Sequence, residues 1–162
     1  MTDELLFGLT LGAALGCGLI AGVFFAFSSF VMNALGRLPP AQGIAAMQSI
    51  NVAVINPWFM LPFLGTAAAC AVLGVNSLLS WHQPGAGYVL LGSLLYVIGT
   101  LLVTMVCNVP RNDALAAVDP ASAEGASRWA AYLVSWTFWN HVRTAAALAA
   151  SASLTLALWL RR

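Results

Sequence analysis

Residues 5–36 read LLFGLTLGAALGCGLIAGVFFAFSSFVMNALG. This stretch, between Glu4 and Arg37, contains no charged side chain. A second charge-free interval runs from Arg37 to Arg111, and a third runs from Arg143 to Arg161. The hydrocarbon core of a bilayer is about 30 Å thick, and about 20 helical residues cross it. The first interval therefore fits one transmembrane helix, the second fits two, and the third fits most of another.

The composition excludes an ordinary soluble domain. Hydrophobic residues make up 61% of the 162 residues, charged residues make up 7%, and the mean hydropathy is +0.90. Soluble domains carry about 25% charged residues. The chain has no lysine and a net charge of +1, so it offers no basic stretch for nucleic acid. We expect one integral, multi-pass domain over residues 1–162, in the cell membrane and surrounded by lipid.

The predicted fold class is all-α, an integral membrane four-helix bundle. The four helices are predicted at residues 5–35, 41–80, 87–107 and 126–160. The second helix is expected to kink at Pro57, because proline lacks the backbone N–H and crowds the preceding turn. Residues 108–125 hold three of the five acidic side chains and two prolines, a composition typical of an exposed loop.

Four antiparallel helices sort the polar residues of this chain onto one side of the membrane. Both termini are expected on one side, and the connections between the first and second helices and between the third and fourth helices lie on the other. That other side holds Ser28, Ser29, Asn51, Asn56, Asn108, Asn112, Asn140, His141 and Arg143. Arginines occur on both sides, so the positive-inside rule leaves the orientation open.

Two of the predicted helices carry polar stripes. On the fourth helix the stripe is Thr137, Asn140, His141 and Thr144, and on the third it is Ser93, Tyr96, Thr100, Thr104 and Asn108. Spacings of three and four residues place side chains on one helix face. Lipid cannot satisfy polar groups, so both stripes are expected to face the bundle interior, where they make interhelical hydrogen bonds or line a cavity.

A ligand cavity is therefore expected at the polar end of the bundle. Its predicted polar lining is Asn51, Asn56, Asn108, Asn140 and His141, and its predicted apolar walls are Phe27, Trp136 and Trp139. A mostly apolar cavity with a few convergent polar groups is the usual form of a small-molecule site.

Four stretches of the sequence resemble the anthrone oxygenase family, whose members are small four-helix membrane proteins. The stretches are AGVFFAFSSFVMNAL (21–35), AAMQSINVAVINPWFM (45–60), NVPRNDAL (108–115) and WTFWNHVRT (136–144). The resemblance implies oxidation of an anthrone-like aromatic polyketide, or of a related hydroquinone-type substrate, with O2 as co-substrate and without an added metal or flavin.

The resemblance also suggests roles for individual residues. His141 would be the base that removes a proton from the substrate, because a buried imidazole stays neutral. Asn108, Asn140 and Arg143 would donate hydrogen bonds to the resulting enolate oxygen. Substrate binding would fall to Phe27, Asn51, Asn56, Asn112, Trp136 and Trp139.

Two alternatives remain open at the sequence level. His141 can instead serve as an axial ligand of haem or copper, with Met32 or Met60 as a second ligand. The protein can also be a non-enzymatic scaffold or partner subunit. Gly8, Gly12 and Gly16 recur every four residues, and such a repeat favours close helix packing, either inside the bundle or in a homo-oligomer.

Overall fold

The computed structural model describes residues 2–161, and every regular element in this range is helical. The helices are α1 (Asp3–Gly36), α2 (Pro40–Ala53), α3 (Pro57–Leu79), α4 (Ala86–Ala116) and α5 (Ala123–Leu160). Within the described range, α1, α3, α4 and α5 are each long and apolar enough to cross a membrane. The predicted all-α membrane bundle is confirmed.

Local sequence signals determine where the helices begin. Thr2 caps α1, Asn56 caps α3 and Ser122 caps α5, each accepting a hydrogen bond from a backbone N–H three residues further along. Pro40 and Pro57 stand at the first positions of α2 and α3, where a missing N–H costs no helical hydrogen bond.

The single second helix predicted over residues 41–80 is in fact two helices. Asn56 has an extended backbone (φ −139°, ψ 159°), and the chain is not helical between Ala53 and Pro57. Proline disfavours a helical conformation in the residue before it, so Asn56 breaks the helix instead of kinking it. As a result α2 is free to lie across the end of the bundle.

The loop predicted over residues 108–125 was also wrong, because α4 continues to Ala116 and leaves a connection of only 117–122. Pro110 lies within α4, directly after the π-helical segment Thr104–Asn108. The wider π turn gives room for the carbonyl group that the proline ring would crowd in a regular α-helix. The guanidinium group of Arg111 also donates a hydrogen bond to the carbonyl oxygen of Cys107.

The antiparallel arrangement is visible in the contacts between α1 and α5. Asn140 donates a hydrogen bond to the carbonyl oxygen of Phe24, and Ser151 donates one to that of Ala14. Residue numbers along the two helices therefore run in opposite directions. The described chain begins and ends at one end of the bundle, while α2, the start of α3 and the end of α4 lie at the other.

The glycine repeat of α1 does not pack as a unit. A Cβ atom on Gly16 would lie 2.0 Å from Oγ1 of Thr66, so this glycine allows α1 and α3 to approach closely. Gly8 and Gly12 face outward, and nothing lies within 4 Å of the corresponding Cβ positions. Only the last glycine of the repeat thus serves packing inside the bundle.

Large apolar side chains cover the outside of the molecule. Trp58, Leu79 and Val134 are 91%, 82% and 75% exposed. A soluble monomer rarely exposes such extensive apolar surface, whereas lipid tails solvate it without cost.

Helix α2 covers the polar end of the bundle. Ile44 and Met47 are buried beneath it, in a cluster with Trp129, Tyr132 and Trp136. Gln48 donates two hydrogen bonds from Nε2, to the carbonyl oxygens of Leu115 (2.9 Å) and Val118 (3.1 Å). These contacts attach α2 to the end of α4 and make it the roof of the space below.

Candidate functional site

A cavity of about 560 Å³ lies beneath α2 and is lined by residues from all five helices. Its aromatic lining consists of Phe24, Phe27, Phe59, Phe63 and Trp136. Its polar lining consists of Gln48, Asn51, Thr104, Asn108, Asn112, Asp113 and Arg143. The cavity is thus an aromatic chamber with a small number of polar groups, at the end of the bundle where the sequence predicts it.

Arg143 occupies the inner end of this cavity. It is seven residues beyond Trp136 on α5, which places it about 10 Å deeper in the bundle. Its side chain is 4% exposed. One guanidinium nitrogen, Nη2, donates to Oδ1 of Asn140 at 2.7 Å, and Nη1 donates to Oγ1 of Thr104 at 3.2 Å.

Two aromatic rings complete the surroundings of the Arg143 guanidinium group. Its central carbon lies 4.1 Å from the ring centroid of Phe24 and 5.1 Å from that of Trp136. Both distances allow a cation–π attraction. The guanidinium group therefore sits between two rings, while its Nε remains without a hydrogen-bond partner.

Asn108 is the second buried polar group of the cavity, with 1% of its surface exposed. Its Nδ2 donates to the carbonyl oxygen of Trp136 at 3.3 Å, which fixes the amide against α5. Its Oδ1 has no partner. Two residues that line the cavity thus each keep one buried polar atom without a partner, a donor on Arg143 and an acceptor on Asn108.

Asn140 lies behind the cavity wall. It is fully buried, and its Nδ2 donates both to the carbonyl oxygen of Phe24 (2.8 Å) and to Oγ of Ser28 (2.7 Å). Its Oδ1 accepts the hydrogen bond from Arg143. Asn140 therefore holds Arg143 in place. Contrary to the prediction from the sequence, its side chain does not line the cavity.

Asn112 organises the outer part of the chamber. Its Oδ1 accepts hydrogen bonds from the hydroxyl group of Tyr132 and from Nε1 of Trp136, both at 2.8 Å. Phe27 packs on Trp136 with ring centroids 5.7 Å apart. These contacts fix the orientation of the Trp136 ring that forms the wall.

His141 does not face the cavity, contrary to the expectation from the polar stripe. Its side chain is exposed and lines a shallow groove of about 680 Å³ on the outside of the bundle, together with Met32, Arg37 and Thr137. Consecutive helical residues point about 100° apart, and here this rotation places His141 on the outer surface while Asn140 is buried. The structure therefore separates His141 from Asn108 and Arg143.

Trp139 and Asn56 also lie outside the cavity lining. Trp139 packs edge-on against Phe138, with ring centroids 5.3 Å apart. The side chain of Asn56 accepts a hydrogen bond from the backbone N–H of Phe59 and donates one to the carbonyl oxygen of Ala53. Asn56 is thus engaged in capping α3. Phe27, Asn51, Asn108 and Trp136 do line the cavity, as the sequence predicts. Asn112, which the resemblance assigns to substrate binding, lines it as well.

The polar stripe of α4 faces the bundle interior throughout. Ser93, Tyr96, Thr100 and Asn108 are each at most 3% exposed, and Thr104 is half-buried. The π-helical segments Val97–Leu102 and Thr104–Asn108 occur along the same part of α4, and a third segment, Phe27–Val31, lies in α1. Single π turns often accompany functional sites because they rotate side chains relative to a regular helix.

Several lining residues were missed at the sequence level. Phe24, Phe59 and Phe63 look like ordinary lipid-facing or core residues in an apolar run, and no sequence pattern singles them out. Gln48 could have been found, because it lies three residues before Asn51 in the segment that the structure identifies as α2.

The described residues contain no group of three or more His, Cys, Asp or Glu side chains able to hold a metal ion. Comparison with known proteins gives one family: residues 58–153, more than half of the chain, match anthrone oxygenase. No similar curated protein and no similar solved structure was found. The matched range contains most of α3, all of α4 and the part of α5 that carries Trp136, Asn140 and Arg143, and on this basis the chain belongs to the anthrone oxygenase family.

Proposed function

We propose that this protein is a membrane oxygenase that oxidises an anthrone-like or hydroquinone-type lipophilic aromatic, such as an aromatic polyketide, with O2. We place it in the cell membrane. The observation that carries the proposal is the buried Arg143 at the inner end of a cavity with aromatic walls. Family membership gives the oxygenase class, and the cavity suits a flat aromatic ligand.

The proposed reaction converts the methylene group between the two aryl rings into a carbonyl group. One oxygen atom of O2 becomes the carbonyl oxygen, and the other leaves as water with the two methylene hydrogens. The first step removes one methylene proton and gives an electron-rich enolate, which transfers electrons to O2. A positive group fixed in a dry site stabilises such an oxyanion strongly, and we assign this role to Arg143, which lines the inner end of the cavity.

The proton requires an acceptor other than His141, because His141 faces away from the cavity. Asp113 is the carboxylate in the cavity lining, and it is exposed at the outer end of α4. We assign proton acceptance to Asp113 and to water at this opening. A carboxylate at the mouth can pass the proton on to solvent while the inner end stays dry.

The substrate would reach the cavity from the lipid phase. Val52, Leu64 and Met105 line the cavity and are 75%, 47% and 60% exposed on its outer side. An opening bordered by apolar side chains suits a ligand that partitions into the bilayer. Lateral access also keeps water away from the inner end.

The proposal is tested by measuring O2 consumption with emodin anthrone in membranes that contain the protein. We expect a rate above the spontaneous oxidation in matched membranes without the protein. Arg143→Met should lower the catalysed rate about 10²–10³-fold, the usual effect of losing one oxyanion donor. Arg128→Met is the matched control, since Arg128 forms an exposed ion pair with Glu124. Equal rates with and without the protein would refute the oxygenase function.

A redox protein with haem or copper is a second candidate, because His141 and Met32 line the same outer groove. A methionine and a histidine form a known haem ligand pair. An absorption spectrum of the purified protein decides between the two. A Soret band, or copper in stoichiometric amount, that is lost in His141→Ala would favour this candidate.

A further inference from the structure

Arg143 is a buried cation without a counter-ion. No carboxylate of residues 2–161 lies within 4.0 Å of its guanidinium group, and the ion pair found in this range is the one between Arg128 and Glu124. The hydrogen-bond partners of Arg143 are an amide and a hydroxyl group, both neutral. The protein itself thus leaves this charge uncompensated.

The titratable groups around Arg143 do not alter this conclusion. Tyr132 on α5 and Cys107 on α4 are near enough to act on its charge, and neither side chain is a carboxylate. Asp113 lines the same cavity, but it is exposed at the mouth. The lining residues from α1, α2 and α3 carry no charge.

A charge within a membrane protein is normally paired or faces a functional cavity. Arg143 lines a cavity, and its Nε is buried without a hydrogen-bond partner. The remaining source of negative charge at this position is the ligand. The Oδ1 of Asn108 also has no partner, and an amide oxygen can only accept a hydrogen bond. The ligand is therefore expected to carry a hydrogen-bond donor as well.

We propose that the cavity binds acidic phenols and enols as their anions, with the ligand oxyanion on Arg143 and a second ligand hydroxyl group donating to Asn108. This inference rests on the proposed function only for the choice of cavity. The ligand O–H gives up its proton to water at the cavity mouth, and no oxidation is involved in binding. Flat aromatics of similar size without an ionisable hydroxyl group are bound weakly.

The experiment uses alizarin, a hydroxylated anthraquinone whose colour changes when a hydroxyl group ionises. Alizarin already carries both carbonyl groups, so it cannot undergo the methylene oxidation. The purified protein in micelles is titrated with alizarin across a pH series, and protein-free micelles serve as the reference. The apparent pKa of the bound dye should fall by about 1–3 units, the effect of a neighbouring opposite charge.

Variants test whether Arg143 causes the shift. Arg143→Met should abolish it, Arg143→Lys should retain part of it, and the matched control Arg128→Met should leave it unchanged. A second measurement needs no variant. The dissociation constant of unsubstituted 9,10-anthraquinone from the unmodified protein should be at least about tenfold higher than that of alizarin.

Bound alizarin with an unshifted or raised apparent pKa would overturn the inference, as would equal binding of the two anthraquinones. The outcome is separable from that of the oxygenase assay. A shifted dye without anthrone oxidation would support anion binding and refute the oxygenase function. Anthrone oxidation together with an unshifted apparent pKa of bound alizarin would support the oxygenase function and refute anion binding.

Discussion

The two faces of α5 differ although they are built from neighbouring residues. Asn140 is fully buried and makes two hydrogen bonds to α1 and one to Arg143 within α5, whereas the next residue, His141, is exposed on the outer surface. The inner face continues through Trp136 and Arg143 into the cavity, and the outer face continues through Phe138 into the lipid-facing surface. Both faces contain residues from one polar motif of the sequence.

Helix register, and not residue type, decides which side chains of α5 face the cavity. Histidine is the side chain that titrates nearest neutral pH, and it is the natural candidate for a base. One residue of register nevertheless rotates it about 100° away from the cavity. Arg143 and Asn108 do line the cavity, and the proposed chemistry is assigned to them for that reason.

The largest effect in this comparison is expected for Asn140→Leu. The change leaves Nη2 of Arg143 and the carbonyl oxygen of Phe24 without their buried partner, and such losses cost about 1–3 kcal/mol each. We expect a lower midpoint of thermal unfolding in micelles and at least about a tenfold lower oxidation rate, as the guanidinium group loses its orientation.

Asn33→Leu provides the matched control for this experiment. Asn33 is an exposed asparagine on α1 that donates a hydrogen bond to the carbonyl oxygen of Ser29. The same replacement there should change the free energy of unfolding by less than about 0.5 kcal/mol. Equal losses of unfolding free energy in the two variants would show that the buried hydrogen bonds of Asn140 do not stabilise the fold more than the exposed one of Asn33.

A smaller effect is expected for Asn112→Ala. The hydroxyl group of Tyr132 and the indole N–H of Trp136 lose their common acceptor, which should lower the free energy of unfolding by about 1–2 kcal/mol. Asn112→Asp keeps the oxygen that accepts both hydrogen bonds, and its free energy of unfolding should stay close to that of the unmodified protein. If alanine and aspartate behave alike in thermal unfolding, these two hydrogen bonds do not hold the inner face of α5 together.

The smallest effect is expected for His141→Ala. The side chain is exposed and makes no hydrogen bond within residues 2–161, so the free energy of unfolding should change by less than about 0.5 kcal/mol. The oxidation rate should change less than about twofold. A loss of tenfold or more would contradict the division between the two faces and would return the base to His141.

The fold was largely predictable because charges are excluded from the hydrocarbon core. The spacing of Arg37, Arg111 and Arg143 is enough to count the membrane-crossing helices. The errors occurred at prolines. Whether Pro57 kinks or ends a helix, and whether Pro110 can lie inside one, depends on neighbouring turns and on the π segment before Pro110, which composition does not reveal.

The candidate site was predictable in position but only partly in membership. Topology places the ends of α1 and α4 beside α2, and this brings Phe27, Asn51, Asn108 and Asn112 to one cavity. His141 and Trp139 were misplaced because a spacing of three or four residues defines a face only to within about 60°. Asn56 was misplaced because helix capping and ligand binding use the same side-chain atoms.

The attachment of α2 has a kinetic consequence. One amide nitrogen of Gln48 makes both hydrogen bonds to the carbonyl groups of Leu115 and Val118, so any separation of α2 from that turn breaks the two together. The segments 37–39 and 54–56 on either side of α2 are not helical and can absorb such a motion. Opening of the cavity at this end would therefore require both hydrogen bonds to break in one step, and a bound molecule would leave in this direction no faster than α2 separates from the turn.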